Sequence, residues 1–519
     1  MWFNVDRKGP MIMTGSKNAT KYNDLIFKQY QELMVKYDKL YDKVVALEKE
    51  NKSLKVKLDR ANKKIEKLTN ENQKLREENK ILREENKMLK NKIANLEARI
   101  NKDSSNSSKP SSTNGYKKVI TNRREKSDKS KGGQPGHCFF SLNKEKIKEL
   151  KEKGAVVEVY DVDKTENNCN KQYKTITRID IKITPVIKEY RYYPNEEGKY
   201  NIPNNIIQTI EYGSNVKAFA TSLVCAYPNS MDSARSIISS LTNGLINISK
   251  GTINNWVEKL GKKLEPELEK IEESLLNSYY INADESNIKV NGENSNILCV
   301  SNKTHTRLWS SKKKTSKALE EIGFMPKFNN IIVKDGTKIY NQYGSRFSQC
   351  VSHILRYTKG IVEGNKREEA RNMIDYISQI LEEREGLIGH GVTAFSKERY
   401  MEIKDKINSL FKDWKNAWFR QKRVLNPMYK EEKNLLQRYE EEENEIFYFL
   451  KDFKVPATNN QAESDQRPVK IKQKIGKPRS ENGAKIYCDI RSCINTYKKN
   501  DINVYGALAD AYDNKPIII

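Results

Sequence analysis

Three carboxylates stand where folding could gather them around a cation. Asp284 ends the apolar part of 278–290, SYYINADESNIKV, and Asp335 ends NIIVKD at 330–335, followed at once by Gly336. Both runs read as strands, and carboxylates at strand ends face the same edge of a sheet. The third, Glu463, lies in 453–480, FKVPATNNQAESDQRPVKIKQKIGKPRS. Pro456 ends whatever precedes it, and Thr458, Asn459 and Asn460 are good N-cap residues, so a helix is expected from about Ala462 with Glu463 in its first turn. A carboxylate on a helix packed beside that edge would complete an oxygen-rich site of the kind hard divalent cations prefer, with positions left open for substrate phosphates. The same helix carries Arg467, Lys470, Lys472, Lys474, Lys477 and Arg479 with no acid among them, a surface suited to phosphates.

Taken alone, an acidic first turn on a basic helix is also what a solvated surface helix looks like. The words around the carboxylates narrow the reading. NADES at 282–286, VKDGTKIY at 333–340, CVSHILR at 350–356, VPATNNQAESDQRPVKIKQKI at 455–475 and KGGQPGH at 131–137 resemble the bacterial transposases of the insertion-sequence-66 family. The NNQAE core is the most specific of them. The resemblance implies an RNase H-like catalytic domain and assigns Asp284, Asp335 and Glu463, position by position, to a DDE triad.

The elements that must position these residues occupy a long chain. At 519 residues, several domains can each bury a core, but 36% hydrophobic against 32% charged residues means that part of the length is solvated helix or linker. With 95 Lys+Arg against 69 Asp+Glu the formal charge is +26, a field that favours a polyanion, most plausibly nucleic acid. No run of 18 apolar residues marks a membrane span, and no membrane partner is expected. The N-terminal MWFNVDRKGPMIM has no signal-peptide apolar region, so a cytoplasmic, nucleoid-associated protein is expected, and seven scattered cysteines fit reduced thiols there.

Residues 22–100 carry a heptad repeat. Leucines recur at d from Leu33 to Leu54 and, after Ala61, from Leu68 to Leu96, with Asn51, Asn72, Asn79 and Asn86 at a. Glu71, Glu78 and Glu85 at g fall five residues before Arg76, Arg83 and Lys90 at e. This pattern predicts a parallel two-stranded coiled coil, hence a homodimer or higher oligomer, with one long helix folded back on its own chain as the bland alternative. Residues 101–136 read as a disordered basic linker whose Arg123 and Arg124 are candidate DNA contacts. A small β-rich domain is expected over 137–215, with β-like alternation in AVVEVYDV and from Thr175 to Tyr193. The resembled family commonly places a zinc-finger-like module there. Cys138 and Cys169 lack the partners that tetrahedral zinc needs, so the region is degenerate and no structural zinc is expected.

Residues 216–275 are helical by pattern, with a helix-turn-helix candidate at 247–260 capped by Ser249, in which Ile253, Trp256, Val257 and Leu260 are equally well spaced as a core face. The α/β catalytic domain spans 276–480, with strands at 279–283, 297–301, 306–310 and 330–334, a helix at 316–322 and a mixed sheet with an antiparallel start. A helical insertion over 360–450 separates Asp335 from Glu463, with Trp414 and Trp418 read as core. Cys350 and His353 are spaced Cys-x-x-His with no second pair close by, so a structural role on a helix is expected, with contact between His353 and the site left open. Residues 481–519 add a C-terminal helical segment, with Ile486, Ile490, Cys493, Ile494 and Tyr497 at helical spacing.

The architecture expected is therefore multidomain: a long N-terminal coiled coil, small β-containing and helical DNA-binding modules, and an α/β RNase H-like domain with a helical insertion. The function expected is metal-dependent cleavage and strand transfer of insertion-sequence ends, with two Mg2+ ions, or Mn2+ as substitute, on the triad. Transposon-end and target DNA are the expected partners, and accessory proteins of the same element are candidates. Two alternatives stand beside it: a non-enzymatic coiled-coil architectural protein, and an RNase H-like nuclease that cuts without joining.

Overall fold

The computed structural model of the chain describes residues 17–100, 102, 106, 143–162, 172, 174–202, 210–421 and 427–517. The chain divides into two units, Met1–Glu97 and Ala98–Ile519. No described helix is long and apolar enough to cross a membrane.

The first unit is built on one helix, α1 (Lys17–Ile100), of 84 residues. The heptad leucines are exposed on it, Leu33 at 64% and Leu82 at 54%, although each would gain about 1.5–3 kcal/mol on full burial. The a-position amides turn back on their own helix: Asn79 Nδ2 donates to Leu75 O at 2.9 Å and Asn86 Nδ2 to Leu82 O at 3.1 Å.

The second unit begins, among the described residues, with α2 (Lys144–Glu152), capped by Asn143, whose side chain accepts from Lys146 N at 2.8 Å. Of the β-rich module expected over 137–215, the described residues show no strand. Residues 155–162 and 174–202 hold no strand, only an isolated bridge between Pro194 and Tyr200, and Val157, Val159, Ile176, Ile181 and Ile187 are exposed. Alternation makes a strand only where a neighbour supplies ladder bonds and a layer covers the apolar face, and among the described residues these segments have neither. Cys138, Cys169, Arg123, Arg124 and the whole KGGQPGH word lie outside the described residues.

Four helices follow: α3 (Ser214–Thr221), α4 (Met231–Leu241), α5 (Lys250–Lys263) and α6 (Glu265–Leu276). Ser249 caps α5 by accepting from Thr252 N at 3.0 Å, and Ile253, Trp256, Val257 and Leu260 face the core. The sheet comes next. Strands β1 (Tyr280–Val290), β2 (Glu293–Ser301) and β3 (Thr306–Ser311) form an antiparallel meander; α7 (Ser316–Ile322) leads to β4 (Ile331–Lys334) and β5 (Arg346–Gln349), which run parallel to β1. The order is β3-β2-β1-β4-β5, a mixed five-stranded sheet with the antiparallel start read from the sequence. Asn291 and Gly292, both at positive φ, make the tight β1–β2 turn, the conformation for which Asn-Gly is suited. This hairpin carries β1 well past Asp284, because β2 continues to supply ladder partners there. Asp284 is therefore within a strand and not at its end, which corrects the sequence reading.

A helical block then intervenes: α8 (Val351–Asn365), α9 (Glu368–Gly389), α10 (Lys397–Arg420), α11 (Tyr429–Glu441) and α12 (Glu443–Ile446). It has a core of its own in which Trp414 is fully buried and donates through Nε1 to Glu432 at 2.8 Å; Glu432 also pairs with buried Arg367 at 2.8 Å. The chain returns to the sheet with α13 (Asn460–Ile475), α14 (Glu481–Lys499) and α15 (Val504–Tyr512). α14 packs across β3, α5 and α6, and Ile486, Ile490, Cys493, Ile494 and Tyr497 are all buried. Arg307 on β3 ties these layers, bonding Glu272 of α6 and Asp489 of α14, each at 2.7 Å. Removing Asp489, the buried partner, costs about 3–5 kcal/mol.

Candidate active site and metal centre

Asp284 and Asp335 meet because β1 and β4 are neighbours. The parallel pairing runs to Asn282↔Val333, and each acid lies two residues farther along its chain. Asp284 is buried in the continuing strand. Asp335 has left the sheet and turns: its Oδ1 accepts from Thr337 N at 3.2 Å, and Gly336 takes φ +92°. That glycine is needed twice over, since a Cβ there would also collide with the Arg438 guanidinium. Arg438, reaching over from α11, donates to Asp335 O at 3.2 Å and to Gln349 Oε1 at 2.9 Å, so the helical block fixes the Asp335 turn against β5.

Glu463 is placed by the residues just before it. Asn459 precedes α13, yet its side chain makes no helix cap. It is turned instead to β1: Nδ2 donates to Ala283 O at 2.9 Å, and Oδ1 accepts from Asn282 Nδ2 at 3.0 Å. Two turns into the helix, Gln466 Nε2 donates to Asp284 O at 2.8 Å. These bonds hold the first turn of α13 against the strand that carries Asp284. The nearby Asp465 is committed elsewhere, to Thr306 Oγ1 and Lys499 Nζ, both at 2.8 Å.

Asp335 and Glu463 both act on Asp284. Burial, then the charges of Asp335 and Glu463, push the Asp284 carboxyl up to about 8, with Lys470 opposing. Glu285, also raised by burial, has Lys314 at 2.9 Å as a partner, which leaves Asp284 as the uncompensated acid. Glu463 Oε1 is buried with no hydrogen-bond partner. A buried carboxyl beside two others, and an orphaned carboxylate oxygen, are the chemistry of a site short of positive charge. Cys350 and His353 lie beside Glu463, with His353 Nδ1 3.6 Å from Glu463 Oε1. Burial holds His353 below the ordinary imidazole range and pushes the Cys350 thiol up to about 11.

Of the six cations read as phosphate contacts, five are at the surface. Arg467, Lys470, Lys474, Lys477 and Arg479 are exposed and form no ion pair with a described residue. Lys472 is the correction. It is buried, donates from Nζ to Asn229 O at 2.8 Å and stands over the Tyr487 ring. It follows Ala462, Asp465, Gln466 and Val469 on the inward face of α13, a periodicity that its charge disguised.

Asn459 reads from the sequence as an N-cap and not as a clamp on β1, Asn282 and Gln466 stand out only as parts of matching words, and nothing in the sequence marks Arg438, whose partners lie outside the helical block that carries it.

With this geometry in place, a family model described as Transposase IS66 family matches residues 215–486. That is a little over half of the chain. The chain belongs to the IS66 transposase family. The matched span of this IS66 transposase contains all three carboxylates, the Asn459 clamp and the exposed cations, and it stops within α14, so the helices that close the core lie largely beyond it. A second model, of a family of unknown function (DUF6444), matches residues 48–139, which hold the later part of α1 and both Arg123 and Arg124. No curated protein matches the chain.

Proposed function

We propose that the chain is a DNA transposase of the DDE type, which cleaves insertion-sequence ends and joins them to target DNA on an RNase H-like domain. The observation that carries this is the gathering of Asp335 and Glu463 about Asp284 beside the β1–β4 pairing, with an Asp284 carboxyl that burial first, and the charges of Asp335 and Glu463 next, hold well above the ordinary carboxylate range. The mixed sheet with its antiparallel meander, interrupted by a helical block before α13, supports the RNase H-like reading.

The donor set is three carboxylates, which suits Mg2+ or Mn2+. Asp284 and Asp335 would share one ion and Glu463 would hold the second. When bound, the ions would supply polarisation of the scissile phosphate and a lowered pKa for the attacking water or 3′-hydroxyl. The chain's own contribution is placement. Asn282, Asn459 and Gln466 lock α13 to β1, and Arg438 locks the Asp335 turn, so the carboxylates need no reorganisation when substrate arrives. The exposed cations of α13 and the loop after it, from Arg467 to Arg479, would bind DNA phosphates beside the acids. The exposed leucine seam of α1 would be buried against a second copy, bringing two active sites to two ends.

Joining of a labelled transposon end to plasmid DNA tests the reading. Joining that needs Mg2+ and is lost in Asp284→Asn, Asp335→Asn and Glu463→Gln supports it. Cutting without joining indicates a nuclease, and DNA binding with neither indicates an architectural protein.

A further inference from the structure

Glu463 has a second set of neighbours that the triad does not use. Cys350, His353 and Glu463 offer a sulfur, an imidazole nitrogen and a carboxylate oxygen that all lie within 4.8 Å of one another. The two facing atoms, His353 Nδ1 and Glu463 Oε1, are 3.6 Å apart, too far for a hydrogen bond, and both are buried with no hydrogen-bond partner. Ligand atoms at that spacing, each about 2.1 Å from a common cation, subtend roughly 120° at it, which a four-coordinate site accommodates.

Cys350 is prepared in the same sense. It is the residue that opens α8, so its sulfur lies at a helix N-terminus, and the backbone N–H of Asn459 donates to Sγ at 3.1 Å. Burial keeps the metal-free thiol protonated; the N–H donor works against that, a bound cation would displace the proton, and hydrogen bonds of this kind orient ligands in metal sites.

We infer that Cys350, His353 and Glu463 form a site for a borderline-soft divalent cation of the Zn2+ class, and that its occupation excludes a hard cation from the triad because both need Glu463. Thiolate and imidazole select zinc, whereas an all-carboxylate set selects magnesium, so one glutamate stands between two metals of different softness. Zinc at this site inhibits the reaction by withdrawing Glu463. The inhibitory role rests on the triad reading; the site itself does not.

The test uses the full chain. Co2+ titrated without DNA reports a thiolate ligand through a sulfur-to-metal charge-transfer band. That band is expected in the natural sequence, lost in Cys350→Ser, which keeps an acceptor for the Asn459 N–H, and weakened in His353→Gln. In joining assays with Mg2+, the Zn2+ concentration that halves the rate should rise by more than about tenfold in either variant, each measured against its own zinc-free rate. No band in the natural sequence, or a band and zinc sensitivity unchanged in Cys350→Ser, overturns the site. A Cys350-dependent band in a chain with no Mg2+-dependent joining keeps the metal site and removes the triad reading, whereas Mg2+-dependent joining without the band does the reverse.

Discussion

Asn282 on β1 donates through Nδ2 to Oδ1 of Asn459, just ahead of α13, at 3.0 Å, and both residues are buried. The pair joins segments far apart in the chain and sets where Glu463 stands relative to Asp284. Asn459→Ala should destabilise the fold by about 1–3 kcal/mol, the cost of stranding buried partners. Joining at saturating DNA and Mg2+ should fall by more than stability alone explains. Chemical denaturation and a metal titration check this: if joining tracks the folded fraction only, Asn459 holds the fold together and does not position Glu463.

The Asp284 carboxyl makes metal-free stability depend on pH. Folded, it keeps its proton to about 8; unfolded, it releases it near 3.8. Between those values the unfolded chain binds fewer protons than the folded one, so stability falls as pH rises from about 4 to about 8. Asp284→Asn should flatten that fall and should make the metal-free protein more stable at pH 8, by on the order of a few kcal/mol. Mg2+ at pH 8 should raise the melting temperature of the natural sequence more than that of the variant. Equal pH profiles in EDTA would mean that Asp284 ionises freely.

The cations of α13 should divide into two kinds. Lys470→Ala and Lys474→Ala should each reduce the slope of log affinity against log salt by about 0.7–0.9, with unchanged thermal stability. Lys472→Ala should leave the slope alone and lower stability by about 1–3 kcal/mol, because its stem and ammonium are packed against Tyr487 and Asn229. DNA affinity over a salt series, alongside melting curves, separates them; a salt-slope change in Lys472→Ala would put that side chain back on the DNA surface.

Glu463→Gln keeps the length of the side chain and removes its charge. Cleavage and joining should drop by several orders of magnitude while DNA binding is kept or strengthened. Near-normal joining in Mg2+ by this variant would sink the triad.

The α1 seam should pair in parallel. Tyr30→Cys in an otherwise cysteine-depleted chain should crosslink to its own counterpart under mild oxidation, and a chain carrying both Tyr30→Cys and Ile100→Cys should not form 30–100 links between copies. A monomer at micromolar concentration by light scattering would contradict the dimer.

Features that depend on near neighbours in the chain were legible in the sequence. The heptad leucines predict the long helix, Ser249 predicts the start of α5, the apolar runs predict β1 to β4, and the spacing of Ile486 to Tyr497 predicts the buried face of α14. Periodicity and capping are local, so the chain displays them before it folds. The grouping of Asp284, Asp335 and Glu463 was suggested by words such as NADES and NNQAE that resemble a family, not by any physical property of an isolated Asp or Glu.

Tertiary structure decided what depends on which surfaces meet. β1 runs through Asp284 because a hairpin partner lies beside it, a condition set by pairing and not by the apolar run. Lys472 is inside because α13 lies on the sheet and α14 closes over it, and a lysine's charge gives no sign of a buried stem. The alternation at 155–162 and 174–202 forms no ladder, since period two permits a strand without supplying its partner. Arg438 against the Asp335 turn, and Cys350 with His353 against Glu463, are contacts that residues of the helical block, or at its start, make with residues outside it. Side-chain type sets what such contacts can do; only the packing of that block on the sheet determines that they occur.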